Sequence, residues 1–202
     1  MAGQMPTPEK VYPTDARQVR SRQALTGALL ELLGEKPFDQ LTIREIATRA
    51  GIGYATFFRH FSTKDALLSD VASEKIAALL ARVAPILFDV DSFEASLALC
   101  NYVAEDRKLW ATLLTGGAAG IVRKEFVGLA HELARNIAYR SDWLPADLGI
   151  RHGTGAVIDI LAWWLAQPDA IAAPRLAVIL DRLVINPLVA DHGGPLRFPG
   201  KH

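Results

Sequence analysis

With a single cysteine, Cys100, the chain cannot close an internal disulfide, which suits a reducing compartment. No run reaches the roughly 18 uninterrupted apolar residues that a membrane span needs. Asp159 and Asp181 break the best stretches. The opening MAGQMPTPEK lacks the charged-then-apolar build of an export signal. A soluble, cytoplasmic protein with no membrane partner is expected. Histidine is scarce, and His60, His131, His152, His192 and His202 form no cluster. There is no HExxH, no phosphate-binding glycine loop and no nucleophile elbow. His131 and Cys100 together are too few for a closed zinc site. These absences predict no enzyme activity, no metal and no cofactor. Net charge is also missing: 22 Lys/Arg balance 22 Asp/Glu. The balance is uneven along the chain, since residues 1–64 hold nine basic and six acidic residues, or +3, and the remainder carries −3.

What is present is concentrated in residues 42–67, TIREIATRAGIGYATFFRHFSTKDAL. They read as two short helices joined by a glycine turn, with a third helix starting at Thr63. That is a helix-turn-helix, whose second helix lies in the major groove of DNA. Thr42 is a good N-cap. Ile46, Ala47 and Ala50 make one narrow apolar stripe, and the two alanines admit a close neighbour. Gly51 ends the first helix in a conformation that costs glycine little. Ile52 plugs the turn, and Gly53 opens the second helix, which is expected over Tyr54 to Phe61. Phe57 and Phe61, i and i+4, turn inward. Tyr54, Ala55, Phe58 and Arg59 then point outward. His60 lies at the helix end, and Lys64 falls in the first turn of the next helix.

These residues resemble the TetR family of bacterial transcription regulators. The matching positions are Thr42, Ile46-Ala47, Ala50-Gly51-Ile52, Phe57, His60-Phe61 and Lys64. The likeness covers residues 17–70. It implies that Arg44 reads a base, guanine O6/N7 being the commonest arginine target. It further implies that Thr42, Thr56, His60 and Lys64 hold phosphates, and that Tyr54 and Ala55 face base edges. Two positions depart from the family pattern. Gly53 stands where serine is usual, so a side-chain cap and a phosphate contact are missing. Phe58 stands where tyrosine is usual, which removes a hydroxyl and leaves a ring for a sugar or a thymine methyl, or for partial burial in the core.

Pro6, Pro8 and Pro13 and the absence of helical period mark residues 1–15 as a disordered arm. Arg17, Arg20 and Arg22 follow, within reach of phosphate or minor groove, or simply solvated. A first helix is expected from Arg17 to Gly34, buried along Ala24, Leu25, Ala28, Leu29 and Leu32. Beyond Lys64 no window alternates with period two, so the chain is expected to be all-α. The helices expected there are Lys64–Val83, stopping before Pro85; Ser92–Ala104 after a linker Phe88–Asp91; Asp106–Leu114; one from the Gly116–Gly120 bend to Arg140; Asp147–Ala166; and Pro174–Ile185, ended by Asn186-Pro187. The domains expected are the arm 1–15, a helix-turn-helix domain 16–64, a ligand-binding and dimerisation domain 65–189, and a loose tail 190–202.

The last two helices are apolar on more than one side and must bury both, either in the chain's own core or against a second chain. TetR-like proteins pair through such helices in a four-helix bundle. The resemblance therefore implies a homodimer using Ile160, Trp163, Trp164, Leu176, Ile179, Leu180 and Leu183. Gly149, Gly153 and Gly155 are expected to admit a partner helix, and one of the adjacent tryptophans faces the dimer while the other faces inward. The resemblance also implies a palindromic double-stranded operator, repression, and a small hydrophobic or aromatic effector held by the middle helices. Cys100, Trp110, Leu114, Phe126 and His131 are the candidates for that pocket, against plain core packing. The alternative reading is a DNA-binding architectural protein whose C-terminal half is a ligand-free scaffold.

Overall fold

The computed structural model describes residues 13–89, 91–136 and 144–189, and among these it contains helices and no strand. Residues 1–12 of the expected arm, the tail 190–202, Val90 of the expected linker, and residues 137–140 of the helix expected to reach Arg140 lie outside them. The first helix, α1, runs Pro13–Leu33 and so begins earlier than Arg17. A proline at the first helical position forfeits no needed N–H. A 3-10 turn, Phe38–Gln40, follows Pro37. Then come α2 (Ile43–Arg49) and α3 (Tyr54–Phe57).

The helix expected to stop before Pro85 does not stop there. α4 runs Lys64–Asp89 with Pro85 inside it. An interior proline costs a helix one hydrogen bond and crowds the preceding turn. Here Ala84 is buried and Val83 and Leu87 are half-buried, so packing on both sides of Pro85 carries the helix through. α5 (Ser92–Glu105) is capped by the Asp91 carboxylate, which accepts from the N–H groups of Phe93 and Glu94. α6 (Arg107–Leu114) is capped in the same way by Asp106. α7 (Ala119–Asn136) and α8 (Ala146–Ala166) follow. The last helix is broken differently from expectation. α9 (Ala173–Leu180) widens into a π-helical turn at Asp181–Ile185, then tightens into α10 (Asn186–Val189). The wider turn relieves the clash that Pro187 would make with an ordinary α-turn, so Asn186-Pro187 does not end the helix.

α4 packs against α7 and α5, α5 against α9, and α7 against α8. One apolar core runs continuously from Leu25, Leu29 and Phe57 through Leu67, Val71 and Ile76 of α4 to Leu161, Leu176 and Leu180. α4 is thus the element that both halves share. No helix among the described residues is long and apolar enough to cross a membrane.

Candidate nucleic-acid interface and interior cavity

The helix-turn-helix is fixed by local polar chemistry. Thr42 caps α2 through a reciprocal box: its hydroxyl accepts from the Glu45 N–H, while the Glu45 carboxylate accepts from the Thr42 N–H at 2.9 Å. Lys36 also donates to Glu45. The Lys36 ammonium, then the Thr42 hydroxyl and backbone, hold the Glu45 carboxyl down to about 2. Glu45, unlike Thr42, is not among the residues expected at this cap, although T-x-x-E is the signature of the box. Gly51 takes φ +67°, the left-handed conformation the turn requires. Gly53 caps α3 without a side-chain bond, as the missing serine implies. α3 is a single α-turn rather than a helix reaching Phe61. Its end tightens, with Arg59 and His60 donating to carbonyls three residues back.

Phe57 and Phe61 are buried beneath this turn. Above it Tyr54 and Phe58 are about half exposed, with ring centroids 5.2 Å apart in an edge-to-face pair. The Arg44 guanidinium lies 5.8 Å from the Tyr54 ring centre. α2 and α3 therefore present one exposed cluster of a cation and two aromatic rings. Thr42, Gly53, Ala55 and Arg59 are exposed around it, and Thr56 and His60 are half-buried at its edge.

Lys64 has a different task from the phosphate contact expected of it. Its ammonium donates to the carbonyls of Phe38, Asp39 and Leu41 at 3.0, 3.3 and 3.0 Å and sits over the Phe38 ring. An ammonium has three hydrogens, and these three acceptors use them. Other basic residues of this end are paired too: Arg22 with Asp70, Lys36 with Glu45, and Arg49 with Glu35 and Glu31. Among the described residues 13–64, the arginines in no ion pair are Arg17, Arg20, Arg44 and Arg59.

The carboxyl-terminal half holds a cavity of about 220 Å³. Its walls come from α4 (Leu79, Leu80, Val83, Leu87), α5 (Leu99), α7 (Phe126, Ala130, Leu133), α8 (Gly149 to Val157), the π-turn (Ile185) and α10 (Leu188, Val189). Of the five residues expected to line a pocket, Phe126 does. Cys100, Trp110 and Leu114 are core side chains away from it. Burial pushes the Cys100 thiol up to about 12, so it is held as an inert thiol. His131 lies 3.4 Å from the Asp147 carboxylate, which also accepts from Arg151. The glycines expected to admit a partner helix have close neighbours within the protomer. A Cβ on Gly149 would press on Leu144 and one on Gly153 on Leu188, while Gly155 faces Arg123. The sequence reading missed the α4 wall, although Leu79, Val83 and Leu87 recur at i, i+4 and i+8.

The surface of α8 and α9 separates the expected dimer residues into two groups. Trp163 and Leu183 are exposed, and Ile160 and Ile179 are half-buried. Trp164, Leu176 and Leu180, expected at the dimer face, are instead buried within the protomer. Trp164 donates its indole N–H to the Ile171 carbonyl at 2.7 Å, and the Arg107 guanidinium lies 4.6 Å over its ring. Leu148 and Val178, not anticipated, are exposed on the same two helices.

Residues 25–71 match the family model described as bacterial regulatory proteins, tetR family. Over 191 residues the chain is 29% identical to the HTH-type transcriptional repressor Rv3405c of Mycobacterium tuberculosis (strain ATCC 25618 / H37Rv), covering 91% of this chain and 94% of that protein. It is 32% identical over 96 residues to the uncharacterized HTH-type transcriptional regulator YxbF of Bacillus subtilis (strain 168). That match takes in 45% of this chain and spans only 25% of that relative's length. Among solved structures, a TetR transcriptional regulator from Streptococcus agalactiae 2603V superposes with a TM-score of 0.63 at 21% identity, covering 85% of this chain and 97% of the other. At that identity the likeness is one of fold.

Proposed function

Because this chain belongs to the TetR family of bacterial helix-turn-helix transcriptional regulators, we propose that it is a cytoplasmic repressor that binds a palindromic operator as a homodimer and is released by a small hydrophobic effector. The observation that carries the reading is the exposed Arg44–Tyr54–Phe58 cluster on a turn fixed by the Thr42–Glu45 box and Gly51. Arg44 reads a guanine edge, and the Tyr54 and Phe58 rings meet sugar or thymine methyl. Thr42, Thr56 and His60 hold phosphates, with Gly53 and Ala55 giving close approach and Arg59 adding charge. Lys64 supports this face from behind by fixing the turn at Phe38–Leu41. Residues 16–64 form the DNA-binding domain and 65–189 the effector and dimerisation domain.

Few free cations argue for two copies on DNA rather than one, since phosphate contacts set much of the affinity. The exposed apolar side chains Leu148 and Trp163 on α8, Val178 on α9 and Leu183 on the π-turn supply a self-complementary face. A ligand that binds the cavity better in a splayed dimer weakens operator affinity by linkage. The cavity weighs against a ligand-free architectural scaffold. Selection of bound duplexes from a random pool tests the reading. A two-fold-symmetric site with half-sites about 34–36 Å apart is expected. Weak binding with no enriched sequence would overturn it.

A further inference from the structure

The cavity between α4, α5, α7, α8 and the π-turn differs from a generic apolar pocket in its one polar atom. None of its described lining residues carries a charge. Thr154 is the single residue among them with a polar side chain. The residue is nearly buried, and its hydroxyl makes no hydrogen bond to a described residue. A hydroxyl in a helix commonly bonds back to its own preceding turn, as Ser96 does here to Ser92. Thr154 does not, and it faces the void.

Size narrows the ligand further. Gly149 and Gly153 draw Leu144 and Leu188 against α8, so the wall there is built from the far ends of leucines. The remaining 220 Å³ exceeds the roughly 150 Å³ in which a dry leucine-lined cavity accepts benzene, and lies below the roughly 300 Å³ typical of drug-sized sites.

We propose that this cavity binds a compact, uncharged molecule with a hydrocarbon body of roughly eight to ten carbons and one hydrogen-bonding group, an alcohol, phenol or ketone, received by Thr154. A carboxylate or ammonium buried among the described walls is disfavoured, because none of those residues supplies a counter-charge and burying an unpaired ion is costly. The proposal rests on the reading of this cavity as the effector site.

Calorimetric titration of the full chain with 1-octanol, octanoate and octylamine at neutral pH tests it. Octanol is expected to bind at least about tenfold more tightly than either ion. Thr154→Val, which keeps shape and removes the hydroxyl, is expected to weaken octanol about fivefold. Val157→Phe, which fills the void, is expected to abolish binding while leaving the Thr154→Val result as an independent check should it misfold. Octanoate or octylamine binding as well as octanol, no octanol binding, or an unchanged Thr154→Val affinity would each overturn the proposal. Release from the selected operator site is read separately. Octanol that binds without releasing DNA upholds the ligand class and removes the effector reading. Operator binding without octanol binding keeps the operator reading and removes the ligand class.

Discussion

At its first residue α4 uses an ammonium to hold three backbone carbonyls of a surface turn, and toward its other end it offers only leucine and valine to an empty volume. The DNA-facing end depends on polar groups placed to a few tenths of an ångström: a capping box, a left-handed glycine, a spent lysine. The cavity end depends on atoms that are absent, between walls that any similar set of hydrocarbons could supply. Substitutions at the first end should change what is recognised. Those at the second should change what fits and how firmly the core closes around it.

The sharpest test of this contrast is the pair of adjacent tryptophans. Trp164→Ala is expected to cost about 3–5 kcal/mol of unfolding free energy, since it empties a buried site and removes the ring beneath Arg107. Trp163→Ala should cost the protomer less than about 1 kcal/mol, as an exposed side chain does, and should instead raise the dimer dissociation constant. Denaturant unfolding at low concentration, with sedimentation of each variant, separates the two. Equal losses of stability would erase the distinction. Next in size, Arg44→Ala should weaken operator binding by about 1–3 kcal/mol and relax base preference at one position of each half-site. An unchanged sequence preference in a repeated selection would remove Arg44 from base readout.

Lys64→Ala distinguishes a supporting lysine from a phosphate ligand. The structure leads to a loss of about 1–2 kcal/mol in thermal stability with the salt dependence of DNA binding unchanged. A salt slope lower by about one unit with unaltered stability would restore the phosphate assignment. The smallest effect concerns Glu45. Its carboxyl is depressed in the folded state, so its contribution is complete above the ordinary carboxylate value of 4.5 and fades as pH falls toward about 2. Acid titration of α2 helicity should show that window, and Glu45→Gln should flatten it.

The amino-acid sequence made the DNA-facing end legible because its determinants are near neighbours: Thr42, Gly51, and Phe57 with Phe61 act within one or two turns. The all-helical class was legible too, from the absence of period-two alternation. Helix ends near proline were not. Pro85 and Pro187 carry local stop signals that packing around Ala84 and Leu87, and the π-turn at Asp181–Ile185, override. Nor was it legible that Trp164, Leu176 and Leu180 serve their own core while Trp163 and Leu183 stay outside. Hydrophobic period marks a buried face without naming what buries it. Cys100 and Trp110 look like pocket residues by type and position, yet a void is set by how distant helices fail to meet, which no single helix encodes.

Length gives the unbroken α4 a geometric consequence. Leu87 at the cavity and Lys64 at the turn are about 35 Å apart along a helix rising 1.5 Å per residue. A tilt of about 5° at the cavity wall sweeps the Lys64 end through about 3 Å, close to the 3.4 Å between stacked base pairs. Because Lys64 is bound to the turn before α2, that sweep carries the reading surface with it. On the proposed reading, a ligand that tilts α4 by that much would take a half-site out of register with its groove.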